Sequence, residues 1–203
     1  MDDSANRWDA RYGASETEWF FGKEPSILGR LTVSMWKQTY GERAAKAIDL
    51  GCGEGRDSVF FAQQGWTVDA VDASAAGIEK ARRLAAESGV SLRSVTCGDI
   101  READLTAGYD LFFAHNSLSG LGDECLDMVG KMRANAPAGG MNAIRVFTNV
   151  APRPEGDGMY LFAPGELKRV YDGWRVLYYG EDLLWHPQTE KHRSFADIIA
   201  VRA

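Results

Sequence analysis

Histidine and cysteine are both scarce in this 203-residue chain, at three copies each, and proline occurs only six times. Cys52, Cys97 and Cys125 are scattered with no CxxC spacing, which excludes a disulfide framework and points to reduced thiols. No metal site is expected. No apolar run is longer than a few residues, so no segment is expected to span a bilayer. Lysine and arginine, 23 together, are outnumbered by 29 aspartates and glutamates, for a net charge of −6. Non-specific nucleic-acid binding runs on the opposite imbalance, so DNA and RNA are not expected partners. The opening MDDSANRW is acidic and polar, unlike a signal peptide. These absences leave a soluble, cytoplasmic protein, monomer or homodimer, that acts on a small molecule.

What is present is a regular alternation. Apolar runs at 46–50, 67–72, 91–96, 109–114 and 141–147 read as strands, and 55–64, 74–88 and 122–135 between them read as helices. Glycines at 65, 89, 108, 139 and 140 punctuate the joints. The spacing predicts a further helix over about 25–40 and a short one near 164–171. Two closing strands, about 174–182 and 194–201, have no helix between them and should form an antiparallel hairpin at the sheet edge. The expected fold is α/β: Rossmann-like, doubly wound, a mostly parallel seven-stranded sheet with an antiparallel C-terminal edge hairpin. One domain spans 1–203, with an aromatic N-terminal lid and helix over 1–40 and a ligand-binding core over 41–203.

The first strand runs into Asp49-Leu50-Gly51-Cys52-Gly53-Glu54-Gly55-Arg56. The glycines are spaced GxGxG, so the third glycine of the dinucleotide fingerprint is replaced by Arg56. No Gly-Lys-Ser/Thr follows, which excludes a P-loop. Asp49 would repel a pyrophosphate but suits an ammonium group. Asp72, 23 residues on, ends the second strand, where a carboxylate can accept both hydroxyls of a ribose. Together they describe an adenosine with an amino-acid tail, the outline of S-adenosylmethionine.

With these residues the chain resembles the class I S-adenosylmethionine-dependent methyltransferases. Their first motif stands here as DLGCGEG and their acidic second-strand terminus as AVDAS, which includes Ala73. The resemblance implies that Asp99, in CGDI, accepts from the adenine amine and that Ile100 packs on the ring; APAGG at 136–140 matches the turn before the fifth strand. More narrowly, GCGEGRDSVFFAQQGWTVDAVD, the F-x-P-GEL-x-x-x-Y-x-GW run at 162–174, YYGED and RSFADIIAVR are similar to the tellurite-resistance methyltransferases, relatives of thiopurine and of halide or thiol methyltransferases. RWDARYGASETEWFFGKEPS is similar to the aromatic segment that folds over donor and acceptor in these relatives. Where tellurite enzymes carry arginine after the C-terminal histidine and before the last FA, this chain has Pro187 and Ser194, beside Lys191, His192 and Arg193.

Candidate donor-binding residues are therefore Asp49, Gly51, Gly53, Gly55, Arg56, Asp72, Ala73, Asp99, Ile100 and His115. His115, Asn116 and Ser117 follow the fourth strand, where this class of enzyme meets the reacting sulfur, and His115, His186 and Arg193 are the candidate catalytic residues. The Asp/Asn-Pro-Pro-aromatic signature of adenine methyltransferases is missing there. At least one of Trp19, Phe20 and Phe21 should line the site, since three in a row cannot all point inward. Methyl transfer from a sulfonium is an in-line displacement with a neutral leaving group, so alignment and dryness do most of the work. A soft anion (thiolate, selenolate or a tellurite-like species) needs little or no base, whereas a neutral OH or NH acceptor on an organic metabolite needs one, with His115 and His186 the candidates. A non-catalytic or NAD-binding Rossmann domain is the more distant alternative.

Overall fold

The alternation inferred from the sequence folds, in the computed structural model, into strands whose C-terminal ends share one rim. The structure describes residues 3–15, 17–151, 158–186 and 191–203. Among the described residues the sheet comprises β1 (Lys46–Leu50), β2 (Thr67–Asp72), β3 (Ser94–Cys97), β4 (Leu111–His115), β5 (Met141–Phe147), β6 (Arg175–His186) and β7 (Lys191–Val201). Their order is β3-β2-β1-β4-β5-β7-β6. The first five are parallel, and β7 pairs antiparallel with both β5 and β6. Strand order reverses between β1 and β4, and in open α/β sheets ligands bind at that switch point, beyond the strand C-termini.

Alternation along the strands feeds two cores. Ile48, Leu50, Phe112, Ala114, Ile144, Val146 and Ile198 pack with α5 (Cys125–Asn135) and α6 (Glu166–Val170) on one face. Ala47, Val68, Leu111, Phe113, Ala143 and Ile199 face α2 (Ile27–Tyr40) and α3 (Arg56–Gln63) on the other. Asp49, Asp72, His115 and Arg145 keep the parity of this second face but stand near the strand ends, where helix cover gives way to the rim.

Helix starts follow capping chemistry. Ser26 accepts from the Gly29 N–H at 2.9 Å to open α2, and Ser74 accepts from the Gly77 N–H at 3.0 Å to open α4 (Ala75–Glu87). Several boundaries differ from the sequence expectation. The third strand begins at Ser94 rather than 91, and a 3₁₀ stretch, Leu118–Glu124, precedes α5. The edge hairpin is longer than expected, because β6 continues to His186 and β7 starts at Lys191.

A helix that periodicity did not flag, α1 (Asp3–Gly13), opens the chain and packs on α4. The segment it begins is strapped along α4 at three points. Asp9 Oδ1 accepts from Ser74 Oγ at 2.7 Å and from the Ala76 N–H at 2.9 Å. Lys80 Nζ donates to the Glu18 carbonyl at 2.6 Å, and Lys23 pairs with Glu87 at 2.6 Å. The helix-terminal N–H groups and the Ser74 hydroxyl hold the Asp9 carboxyl below its usual range.

Candidate functional site

A cavity of about 600 Å³ opens at the switch point, within the size range of small-molecule sites. Its floor comes from the turn after β1, its sides from the ends of β2, β3 and β4, and its roof from Trp8, Tyr12, Phe21 and Gly22 of the N-terminal strap.

The turn needs its glycines. Gly51 has φ +83°, and a methyl group there would come within 2.2 Å of Ser117 Cβ. Gly55 also has φ +83°, and its Cβ would lie 2.6 Å from Ala81 Cβ and 2.9 Å from Ala81 Cα, so α3 and α4 meet across it. At Gly53 the nearest atom is the Tyr12 hydroxyl, which places α1 directly over the loop.

The carboxylates dominate the floor. Asp49 is buried, accepts from the Ser58 hydroxyl, and is pushed up to about 8, first by burial and then by the neighbouring charge of Asp57. Asp57, which accepts from the Ser26 N–H at 2.7 Å, and Asp72 are also raised, chiefly by burial. Asp72 accepts from the Gly53 N–H and the Ser74 N–H, each at 2.8 Å, so it braces both turns that form the cavity. A carboxylate has about four acceptor positions, which leaves room for a pair of ligand hydroxyls.

Asp99 lies on the cavity wall but has a second occupation. It caps the 3₁₀ turn Ile100–Glu102 by accepting from the Arg101 N–H at 2.8 Å, and it receives the Arg101 guanidinium at both oxygens. Hydrogen bonds from Arg101 lower its pKa. Arg101 reaches on to Glu124 at 2.7 Å and so ties the turn after β3 to the segment after β4. Ile100 is buried at the wall, and Ala73 is exposed at the mouth.

Arg56 lines the cavity and donates to the Phe21 carbonyl at 3.1 Å, its guanidinium 5.3 Å from the Phe21 ring centre. Roof and glycine turn therefore meet at this side chain. His115 also lines the cavity; burial, with the positive charges of Arg56 and Arg145, drives its pKa well below the ordinary histidine value. Burial and these two charges favour the unprotonated imidazole over the imidazolium. Asn116 adopts φ +61°, and its buried Oδ1 has no hydrogen-bond partner among the described residues.

The other two candidate catalytic residues are not brought into the cavity by described contacts. Arg193 sits on β7 with its guanidinium 5.9 Å from the Phe147 ring, outside the lining. His186 ends β6 opposite Lys191 in the ladder, and its side chain lies outside the described residues, as does Pro187. Ser194 is buried, donating to the Thr148 carbonyl at 2.9 Å and accepting from the Ala151 N–H at 2.8 Å, a brace for that loop. Of the aromatic run, Phe21 lines the cavity while Trp19 lies against Lys80, Lys23 and Arg83. Trp8, Tyr12, Leu121 and Met159 are lining residues that the sequence reading did not name for the site. The i, i+4 spacing of Trp8 and Tyr12 was the available signal; Met159 offered none. Among the described residues no group of side chains is arranged to hold a metal, and no helix is long and apolar enough to cross a membrane.

A family model described as tellurite resistance protein TehB matches residues 38–196. Hemagglutinin 1 of Eikenella corrodens is 32% identical over 138 residues, which is 67% of this chain and 46% of that protein. The probable S-adenosyl-L-methionine-dependent methyltransferase TehB of Haemophilus influenzae is 28% identical over 141 residues, 68% of this chain and 49% of that one. The chain thus spans about half the length of the curated relatives it matches. The crystal structure of TehB from Haemophilus influenzae superposes with a TM-score of 0.75 at 20% identity, over 97% of this chain and 67% of that one, a likeness of fold.

Proposed function

The chain belongs to the TehB tellurite-resistance family, and on that premise we propose that it transfers a methyl group from S-adenosylmethionine to a small soft nucleophile: a metalloid oxyanion, a thiol or a halide. The observation that carries the donor is the pair Asp49 and Asp72 beneath the glycine turn. A buried carboxylate raised to about 8 asks for a cation, which the donor's ammonium and sulfonium supply. Asp72 would take the ribose hydroxyls, Asp99 the adenine amine and Ile100 the face of the ring. Arg56, Gly51, Gly53 and Gly55 shape the pocket for the amino-acid tail.

In this reading the chain's work is positional. The aromatic roof keeps water from the sulfonium, and its rings favour a cation, worth about 0.5–2 kcal/mol. Holding nucleophile, methyl and sulfur in line supplies up to about 7–11 kcal/mol in the best cases. The acceptor class rests on the kinship with the tellurite-resistance family, and the lowered pKa of His115, chiefly from burial, accords with a nucleophile that arrives ready to react. Arg56 stands on the same wall as a positive charge for an anionic acceptor.

The test is formation of S-adenosylhomocysteine in the presence of tellurite, selenite, a thiol or iodide. Product is expected with at least one of them, and none with any would overturn the acceptor class. His115→Gln is expected to keep the rate within about threefold, whereas loss of a true general base costs about 10²–10⁴-fold. A loss of that size would favour O- or N-methylation of an organic acceptor instead.

A further inference from the structure

Glu54 sits between the second and third glycines of the turn, yet its carboxylate turns toward the strap. Its side chain is 3% exposed and pairs at 2.9 Å with Lys80, itself 7% exposed. Glu54 Oε1 accepts from the Phe20 N–H at 3.1 Å, and Oε2 accepts from the Phe21 N–H at 3.2 Å. Lys80 Nζ donates to the Glu18 carbonyl at 2.6 Å and stands 5.8 Å from the centre of the Trp19 ring. One ion pair thus grips four consecutive residues, 18–21, through both backbone donors and a backbone acceptor. We propose that Glu54 and Lys80 are positioning residues that latch the aromatic strap as the roof of the donor site, in the reading of that site given above.

The latch explains two features that donor binding leaves unassigned: an acidic residue inside the glycine turn, and a buried lysine midway along α4. Charged side chains are seldom buried unless paired. Here each charge also serves a backbone group that an irregular segment cannot satisfy in a ladder. Glu54 lies one residue from Gly53, whose N–H braces Asp72, and two from Arg56, which holds the Phe21 carbonyl. Roof and donor floor are therefore parts of one bonded unit. Ligand binding that orders the floor must steady the roof, and by reciprocity loosening the roof must weaken ligand binding.

Amide hydrogen exchange and calorimetric titration with S-adenosylhomocysteine, on wild type, Glu54→Gln and Lys80→Met, test this. The amide of the first variant keeps at most one of the two acceptor oxygens, and the thioether of the second keeps the lysine's apolar stem without its charge. In the ligand-free variants the amides of Phe20 and Phe21 should exchange about tenfold faster or more, while those of β4 and β5 keep their protection. The dissociation constant should rise about tenfold, because a pre-ordered roof becomes a disordered one. In wild type, saturating S-adenosylhomocysteine should slow exchange at both amides, a measurement that needs no variant and survives a variant that fails to fold. Unchanged exchange at Phe20 and Phe21 in folded variants overturns the latch. Faster exchange with unchanged affinity, or no ligand protection of these amides in wild type, overturns their role as the roof. Failure of wild type to bind S-adenosylhomocysteine would instead strike the donor assignment, while the ligand-free exchange still decides whether the pair holds the strap.

Discussion

Arg145→Ala is expected to lower the unfolding free energy by about 3–5 kcal/mol, the usual cost of stripping one partner from a buried ion pair. Arg145 and Asp197 face each other across the β5–β7 ladder and bond in two parallel contacts, 2.6 and 2.5 Å long. Their side chains are 10% and 2% exposed. Truncating the arginine leaves a carboxylate with neither water nor cation. For a chain of this size each kcal/mol moves Tm by about 2–4 °C, so the drop should be about 6–20 °C. Replacing both charges with apolar residues should recover much of the loss, since a buried pair adds little net stability over good apolar packing. Chemical denaturation of the single and double variants measures both. A single-variant loss below about 1 kcal/mol would show that water reaches the pair. The pair also matters beside the cavity, because Arg145 stands next to His115 in the β4–β5 register and helps to keep that imidazole neutral.

Asp72→Ala is expected to weaken binding of S-adenosylhomocysteine by about 1.5–3 kcal/mol, or about 10–150-fold, the range for hydrogen bonds to a charged group. The upper half of that range is favoured, because the variant also leaves the Gly53 and Ser74 amides without their acceptor. Asp72→Asn, which keeps one acceptor oxygen and the size of the side chain, should fall between. Isothermal titration gives the three constants, and values within twofold of one another would remove Asp72 from the donor site.

Much of this site was legible in the chain itself. Asp49 near the end of one strand, glycines at 51, 53 and 55, and a second strand ending in Asp72 describe a local unit whose parts lie within 24 residues, and all but Gly55 line the cavity. Strand and helix alternation likewise marked out the sheet, because burial on both faces writes nearly continuous apolar runs into the parallel strands. What sequence could not supply depends on distant partners. The helix Asp3–Gly13 is mostly polar, and its order comes from Asp9 on the end of α4 and Tyr12 over Gly53, not from its own periodicity. The hairpin beyond Asp182 carries exposed Leu183, Leu184 and Trp185 in succession, so no alternation marks it as strand. Asp99 reads as a base-binding residue by position, and its further bonds to the Arg101 guanidinium, two residues on, carried no signal in the sequence. His115 reads as a base by residue type, while the burial that lowers its pKa, and the guanidiniums from α3 and β5 that add to it, are set by the fold. Glu54 and Lys80, 26 residues apart, carried no sign of pairing until α4 folded back on the glycine turn.

The most direct test of a cationic adenosyl donor over buried carboxylates is the pH dependence of S-adenosylhomocysteine affinity. In the free protein Asp49 is protonated below about 8. An ammonium group bound against it requires the ionised form, so binding must release a proton at lower pH. Over about pH 5.5–7.5, where the ligand's own amine stays charged, the association constant should rise as pH rises, by up to about tenfold per unit. Titrations in buffers of different ionisation enthalpy should register the released proton. Tightening of affinity with pH and proton release together are the expected result. An affinity flat across that range, or no binding at all, would contradict a site built on Asp49.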